Sequence, residues 1–440
     1  MNTKLLLTPI ALAIGILASL PAHADELSDL KAQIQLLSDR LANIEKERAY
    51  PAPAATATTQ STAADQPTPV TIAHPPSMQL LSGDNTLSLY GIVDMTFATQ
   101  TNADAAGNRG SAPVVSWMSG NRFGINASHV LDKQSGLSII GRLENEFELP
   151  TGNLDTNNVL FNRDAWIGLQ SDDLGKITLG RQNTLPRDFA QTWGEAFGSR
   201  EVGLDEGGWN NNNQMQYMIN YAGGANGTRY NSAVVWKKKF GAWVTGLAHQ
   251  FNGGGGIVPG DFNTGTTTAA AVAYNGGVWN INGTYSTANI AGFSHQVIGI
   301  GGNVEVTPGI VIRGGYFNNR ADQAVVGQRK DDVYTTSITF LPASMPRTQF
   351  DLGYYNIRAG NAGYAANGNT LGVNSDTSAV TTAADGKMST IYAAAFYRWD
   401  RQADMYIAVD TVNTDGGFKY GFTNGFNTAT ELGVGLRYKF

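Results

Sequence analysis

The sequence lacks cysteine altogether and is poor in charge, with only 15% Asp, Glu, Lys and Arg among its 440 residues. Without cysteine the chain can form neither a disulfide framework nor a thiolate metal site. The formal net charge is −6, and a net negative chain binds the phosphate backbone of nucleic acids poorly. Beyond the first 24 residues there is also no apolar run of about 18 residues or more, which excludes a conventional transmembrane helix there.

The first 24 residues have the three parts of a secretory signal peptide. Lys4 supplies the positive charge, residues 5–20 form an apolar stretch, and Ala22, His23 and Ala24 form a small-x-small cleavage pattern. We therefore expect residues 1–24 to be removed on export. Since Lys4 is the only charged residue of this segment, the mature chain would carry 29 basic and 36 acidic residues, a balance of −7.

Residues 25–50 predict a periplasmic coiled-coil helix. Their apolar residues recur at alternating steps of three and four, which is the spacing of the a and d positions of a left-handed coiled coil. This seam consists of Leu27, Leu30, Ile34, Leu37, Leu41 and Ile44. One helix cannot bury such a stripe alone, so we expect parallel chains to associate through it. The alternative is an amphipathic helix that lies on its own domain.

Residues 51–80 are rich in Pro, Ala, Thr and Ser and contain few large apolar side chains. This composition predicts an extended, disordered linker that tethers the coil without packing against anything.

Residues 81–440 predict an all-β transmembrane antiparallel barrel. Apolar and polar residues alternate in runs of about ten, as expected of strands that face lipid on one side and a lumen on the other. Long polar loops alternate with tight turns at residues 132–136, 172–175, 238–241, 275–277, 307–309, 342–347 and 400–402. Seven such hairpins and one terminal strand at each end give about sixteen strands.

The register of these strands follows from their apolar halves. The last strand directs Leu432, Val434, Leu436, Tyr438 and Phe440 to lipid and leaves Glu431 and Arg437 inside. Residues 137–149 in the same way place Arg142, Glu144, Glu146 and Glu148 in the lumen. A row of inward charges would be very costly in a filled core, whereas it is natural where water fills a pore.

Several motifs between residues 87 and 440 resemble the general trimeric porins of Gram-negative bacteria, especially the sixteen-stranded proteobacterial branch. They are LYGIVD at residues 89–94, NRFG at 121–124, NRDAWIGL at 162–169, DLGKITLGRQN at 173–183 and the terminal YKF at 438–440. The resemblance implies that Tyr438 and Phe440 are read by the barrel-assembly machinery. It also implies that the third loop, here residues 184–230, folds into the barrel as a constriction.

The resemblance further implies a basic cluster on the pore wall that faces acidic groups of the third loop. Arg122 and Arg181 match positions of this cluster. Arg142 and Arg313 are added because the alternation of residues along their strands directs their side chains into the lumen. Strict alternation would direct Arg181 to lipid, so a local twist or bulge is needed there. The opposing acidic wall would consist of Glu195, Glu201, Asp205 and Glu206. Ion preference stays open at this stage, because the arginines favour anions or carboxylates while the carboxylates oppose that preference.

Two departures from the family keep other channels open. The third loop is long, and its residues 216–221 could form an extra strand, so that eighteen strands are the alternative to sixteen. A coiled coil and linker precede the barrel, as they do in some sucrose-type sugar porins with eighteen strands and in dicarboxylate-type channels. A sugar channel would need aromatic side chains in series along the lumen, for which Tyr90, Tyr392 and Phe396 are the candidates. The rival from another class is a structural or adhesive barrel whose loops close the pore and whose coil contacts the cell wall.

The expected partners are outer-membrane lipids, two further copies of the chain in a homotrimer, small solutes and ions, and the cell wall through the coil. We expect no nucleic acid, cofactor or metal. His129, His249 and His295 lack metal-ligand spacing, and no nucleophile elbow or phosphate-binding loop occurs. The sequence therefore does not predict an enzyme.

Overall fold

The computed structural model describes residues 77–115, 117–205, 224–252 and 265–440. The predicted signal peptide, the coiled-coil helix with its apolar seam, and Glu206 lie outside these residues. The first strand, β1 (Ser77–Ser82), begins within the segment 51–80 that the sequence assigns to a linker. In the described part of the chain no helix is both long and apolar enough to cross a membrane.

The described residues form eighteen strands of a single antiparallel sheet. After β1 the strands are β2 (Asn85–Gln100), β3 (Gly110–Val115), β4 (Arg122–Asp132), β5 (Leu137–Glu146), β6 (Asp164–Ser171), β7 (Gly175–Asn183), β8 (Arg229–Phe240), β9 (Trp243–Gln250), β10 (Thr267–Asn275), β11 (Trp279–Ile290), β12 (Phe293–Thr307), β13 (Ile310–Ala321), β14 (Arg329–Phe340), β15 (Thr348–Gly363), β16 (Ala383–Arg398), β17 (Ala403–Gly416) and β18 (Thr428–Lys439).

The sheet closes into a barrel because β18 pairs with β2, with Lys439 opposite Ile92. β2 pairs with β4 along its first half and with β3 along its second half, so β3 and β4 share one position in the ring. β1 pairs with residues 85–90 of β2. From Ile92 onward the same edge of β2 pairs with β18 instead. Leaving out β1 and counting β3 and β4 once, the barrel has sixteen positions, which confirms the predicted number.

All seven predicted tight turns join consecutive strands, and all lie at one end of the barrel, the short-turn end. The other end, the long-loop end, contains one exception to the predicted alternation. β11 and β12 are joined there by Ala291 and Gly292 alone, with φ of 50° and 88°. Two consecutive positive φ values are those of a tight hairpin turn. The expectation of a long loop at every connection of this end is therefore wrong at this one.

The two faces of the strands follow the predicted register. In β18 Leu436 is 57% exposed, whereas Arg437 beside it is completely buried on the lumen side. Outward residues of the other strands are likewise large and apolar, such as Ile167 in β6 and Ile300 in β12. The exposed outer surface is thus suited to lipid, and the polar half of each strand lines the interior.

The C-terminal residue fits against a glycine of β2. Phe440 and Gly91 exchange two backbone hydrogen bonds, of 2.8 and 3.0 Å. A Cβ atom on Gly91 would lie 2.3 Å from Cζ of the Phe440 ring, so only glycine allows the ring to lie there. Tyr438 stacks on the same ring with a centroid separation of 6.0 Å. Both predicted assembly residues therefore lie together at the seam where the barrel closes.

Replacing Gly91 by valine is expected to destabilise the closed barrel by about 1–3 kcal/mol, because the added side chain displaces the Phe440 ring. Folded and unfolded barrels differ in electrophoretic mobility, so a heating series in detergent measures the loss. Gly283→Val is the matched control, because the nearest atom to a Cβ there is 3.6 Å away. Equal melting of the two variants would contradict a role for the fit between Gly91 and Phe440.

Candidate channel constriction

The connection between β7 and β8 enters the barrel through a short helix, α1 (Leu185–Ala190). Thr184 caps the helix by accepting a hydrogen bond from the backbone N–H of Arg187 at 3.4 Å, and a proline lies in the first turn. Leu185 and Phe189 pack against apolar residues on the inner face of β8, β9 and β10. The helix is therefore held against the inside of the barrel wall.

Trp193 then attaches the loop to β11, β12 and β13. Its indole Nε1 donates to Oδ1 of Asn282 at 2.8 Å, and its ring lies 4.7 Å from that of Phe317. The ring also covers Gly301 and Gly315, where added Cβ atoms would lie 2.3 and 2.0 Å from it. Gly301 and Gly315 are paired across β12 and β13. This glycine pair provides the flat surface that the indole needs.

Residues 196–198 reach β13, β14 and β16. The backbone N–H of Ala196 donates to the Tyr392 hydroxyl at 3.0 Å, and its carbonyl accepts from Thr339 at 2.8 Å. Arg313 donates to the carbonyl of Gly198 at 3.2 Å. Phe197 packs edge-on against Phe396 at 5.5 Å. The loop therefore crosses the inside of the barrel to the opposite strands, as the sequence predicts for the third loop.

The loop then returns to the strands where it began. Arg200 forms an ion pair of 2.5 Å with Glu305 of β12, and the backbone of Val202 exchanges hydrogen bonds of 3.1 and 2.9 Å with Asn275. The carbonyl of Asp205 accepts from Lys237 of β8 at 3.1 Å. Residues 184–205 thus narrow the interior along β8 to β16. The contacts described so far do not involve the inner face formed by β2 and β4 to β7.

A group of arginines occupies the face formed by β2 and β4 to β7 and the adjoining loop, and we call it the arginine cluster. Arg163 forms two very short ion pairs, with Glu144 and Glu146, and Arg122 lies 4.0 Å from Glu144. Asp164 lies 3.8 Å from Arg142 and 3.7 Å from Arg229. The cluster consists of Arg122, Arg142, Arg163, Arg181, Arg187 and Arg229.

The arginine cluster has an excess of positive charge. Among the described residues, six guanidinium groups stand against the three carboxylates that form ion pairs with them, those of Glu144, Glu146 and Asp164, which leaves a formal net charge of +3. Burial lowers the pKa of the Arg187 guanidinium, and the neighbouring Arg229, Arg163 and Arg122 lower it further. Like charges repel one another, so an anion that enters the cluster is stabilised.

A second part of the wall, formed mainly by β13 to β18 and including Asp94 of β2, has the reverse balance, and we call it the acidic wall. Arg437 donates to both carboxylate oxygens of Asp404 and, at 3.0 Å, to the hydroxyl of Ser119. Asp94 accepts from the backbone of Ser119 at 2.8 Å and from the Tyr406 hydroxyl at 2.7 Å. Six buried or partly buried carboxyl groups stand here with four basic side chains, so acidic groups outnumber basic groups by two. The acids are Asp94, Glu195, Asp351, Asp404, Asp410 and Glu431, and the cations are Arg313, Arg398, Arg437 and Lys439.

The structure brings some of the predicted constriction residues together and separates others. Arg122 and Arg142 belong to one wall, while Arg313 lies on the other, near Glu195. Glu201 is exposed, and Asp205 lies 3.6 Å from Lys176 near the arginine cluster. The described loop carboxylates therefore do not form one wall opposite the arginines. Most of the counter-charge comes from Glu144, Glu146 and Asp164 of the barrel itself.

Arg181 lies at a register shift of the ladder between β7 and β8. The irregularity falls between Gly180 and Gln182, and Gly180 has a φ of 130°. The guanidinium donates to the carbonyl of Asn162 at 2.6 Å and to the side chain of Asn231. A local bulge is therefore present where the sequence requires one, and polar groups rather than lipid satisfy the half-buried Arg181 side chain.

Three members of the arginine cluster are absent from the sequence-derived site. Arg163 and Arg229 stand where long loops meet strands, and Arg187 lies in the loop helix. Outside a regular strand, side chains do not alternate between lumen and lipid. The alternation pattern therefore could not assign a direction to these side chains. The one available signal was position, since Arg163 ends the connection between β5 and β6, and Arg187 and Arg229 lie within residues 184–230.

A closed antiparallel barrel with an apolar outer face, a polar lumen and a loop folded inside defines the channel-forming barrels of the porin class. This chain belongs to the Gram-negative porin family, whose sequence model matches residues 52–417. An outer membrane porin protein of Bordetella pertussis is 26% identical over 167 residues, which cover 34% of this chain and 43% of that protein. The match thus spans less than half of the length of that curated relative.

Solved structures with the same fold include three outer-membrane proteins of other bacteria. An anion-selective porin from Comamonas acidovorans has a TM-score of 0.61 and 18% identity, over 81% of this chain and 100% of that one. OmpT of Vibrio cholerae has a TM-score of 0.55 and 13% identity, over 82% and 99%. The channel DcaP of Acinetobacter baumannii has a TM-score of 0.53 and 12% identity, over 82% and 99%. At such identities the likeness concerns the fold.

Proposed function

We propose that this protein is a water-filled diffusion channel of the outer membrane for small polar or charged solutes, and that it favours anions. The observation that carries the preference is the arginine cluster, with a net charge of +3 beside a lumen narrowed by the third loop. The acidic wall, in which acidic groups outnumber basic groups by two, would together with the cluster create a transverse field that orients dipolar solutes and disfavours apolar ones. The anion selectivity stated for the Comamonas acidovorans porin supports this proposal.

The purified protein in a planar bilayer is expected to give stepwise conductance and, under a salt gradient, a reversal potential on the anion side. The preference should decrease as ionic strength rises, because salt screens charges in water. An absence of conductance steps would favour the structural or adhesive barrel instead. A reversal potential on the cation side would contradict the anion preference while leaving the channel itself intact.

The sugar-channel alternative finds little support in the aromatic residues that suggested it. Tyr392 and Phe396 are each 1% exposed, and both pack against Phe197 of the third loop. Tyr90 donates a hydrogen bond to Glu144 at 2.7 Å. A sugar needs accessible aromatic faces, and those of Tyr392 and Phe396 are covered, so these three residues form no continuous surface on which a sugar could slide.

We also propose that the channel is a homotrimer, and that the predicted coil of residues 25–50 supports it from the periplasm or contacts the cell wall. A parallel three-stranded coil would match three barrels side by side. Deleting residues 25–50 is then expected to lower the temperature at which the trimer dissociates, or to release the protein from cell-wall fragments. A deletion variant unchanged in both respects would exclude this role.

The C-terminal residues Tyr438 and Phe440 are proposed to be recognised by the barrel-assembly machinery. Tyr438 is half exposed on the outer surface, next to the seam closed by β18 and β2. An aromatic pair at the closing strand is therefore accessible on a chain in which β2 has not yet paired.

A further inference from the structure

A polar pocket adjoins the arginine cluster at the short-turn end of the barrel and shares Arg142 with it. It is a cavity of about 200 Å³ on the inner side of β2 and β4 to β7. By the volume that one water molecule requires, it has room for on the order of ten water-sized groups. Its lining residues include Ser88, Ser128, Arg142, Trp166, Gln170 and Lys176. We call it the lower pocket.

Two cations flank one indole ring in the lower pocket. The ring centroid of Trp166 lies 4.6 Å from Nζ of Lys176 and 5.7 Å from Cζ of Arg142. Arg142 is fixed further by a hydrogen bond of 2.7 Å from its Nε to Oδ1 of Asn126. Asp205 and Asp164 balance the cations from 3.6 and 3.8 Å.

Several polar groups of the pocket have no protein partner. Trp166 is 8% exposed, yet its Nε1–H has no hydrogen-bond acceptor. A buried donor without an acceptor is costly, and a ligand oxygen would remove that cost. Within the described residues, Ser88, Ser128 and Gln170 also form no side-chain hydrogen bonds, although all three line the cavity. The pocket thus offers donors and acceptors that the fold itself does not use.

We propose that the lower pocket binds a small anion with several hydroxyl groups, of the sugar-acid class. The carboxylate would lie between Arg142 and Lys176, and the hydroxyl groups would bind Ser88, Ser128, Gln170 and the Trp166 N–H. This inference deepens the proposed anion-favouring channel and rests on it. The pocket also adjoins the arginine cluster, because Asp164 lies within 4.0 Å of both Arg142 and Arg229. An anion that passes the cluster therefore meets a second site on the same wall.

Gluconate and hexanoate provide the test, because they carry the same charge and the same number of carbon atoms but differ in hydroxyl groups. Added to the short-turn side of single channels in chloride, gluconate is expected to interrupt the current at concentrations at which hexanoate does not. Trp166→Phe, which keeps a ring but removes the N–H, should weaken gluconate block about two- to tenfold. Lys176→Gln should weaken it about tenfold or more, since a charge-assisted hydrogen bond is lost.

Lys133→Gln is the matched control, because it removes the same charge at the same end of the barrel from an exposed turn residue paired with Asp84. This variant should keep the gluconate block of the original protein. Equal block by gluconate and hexanoate, or full block of Trp166→Phe, would overturn the proposal. Chloride conductance and reversal potential are recorded in the same experiment, so a failure of the pocket is distinguishable from a failure of the channel.

Discussion

Replacing Trp193 by alanine is expected to increase the single-channel conductance and to make the open current noisier. The indole contributes packing on Gly301, Gly315 and Phe317 and a hydrogen bond to Asn282. Removing a buried tryptophan side chain costs about 3–5 kcal/mol, and here the loss falls on the attachment of the loop. The hydrogen bonds between the barrel strands do not involve Trp193. The loop should therefore move away from the lumen while the barrel stays closed.

The same contact can be broken from the side of the barrel. In Gly315→Val the first added atom would lie 2.0 Å from Cε3 of Trp193, so the indole must move. Both variants should raise conductance by a similar amount, and the double variant should add little, since the two changes remove one interaction.

Gly314→Val is the matched control for this experiment. It adds the same side chain to the neighbouring residue, where the nearest atom to a Cβ is 3.6 Å away. Its conductance should equal that of the original protein. If Trp193→Ala forms folded channels of unchanged conductance, Trp193 does not hold the constriction in place.

Reversing the charge of two arginines in the cluster is expected to change the ion preference from anions to cations. Arg187→Glu alone lowers the net charge of the cluster from +3 to +1, and adding Arg122→Glu lowers it to −1, because each replacement removes two charge units. Arg122 is suitable because Glu144 keeps its ion pair with Arg163. The reversal potential under a salt gradient should decrease in the single variant and change sign in the double variant.

Two controls test whether the change in ion preference comes from the charge of the new side chains, and not from their size, and whether it depends on their position in the cluster. The corresponding double Gln variant should weaken the anion preference without reversing it, since the cluster then has a net charge of +1. Lys387→Glu changes the charge of an exposed residue paired with Asp415 at the far end of β16, and it should leave the reversal potential unchanged. A double Glu variant that still favours anions would show that the arginine cluster does not set the preference.

Prediction from sequence succeeded where the physical signal is local. The alternation of apolar and polar residues in β18, and the tight turns before β5, β7 and β9, depend on neighbouring residues alone. The turn at Ala291 and Gly292 was missed because a non-glycine residue with positive φ gives no clear signal in the sequence. For Arg181, parity identified a conflict with the lipid-facing side, but the hydrogen bonds that resolve it come from Asn162 and Asn231, on other segments.

The sequence by itself determined a sixteen-position barrel, its inward and outward faces, and the segment that enters the lumen. The barrel and its two faces follow from the two-residue period of a strand between lipid and water, which is a local property. The segment that enters the lumen was assigned from the resemblance to the general trimeric porins. Only the tertiary structure decided the path of the third loop, the members of the arginine cluster and the lower pocket. Ala196 meets Tyr392, 196 residues later, and Arg187 meets Arg122 and Arg229 from separate segments. Closing the barrel brings such distant groups together, and no local pattern encodes their distances.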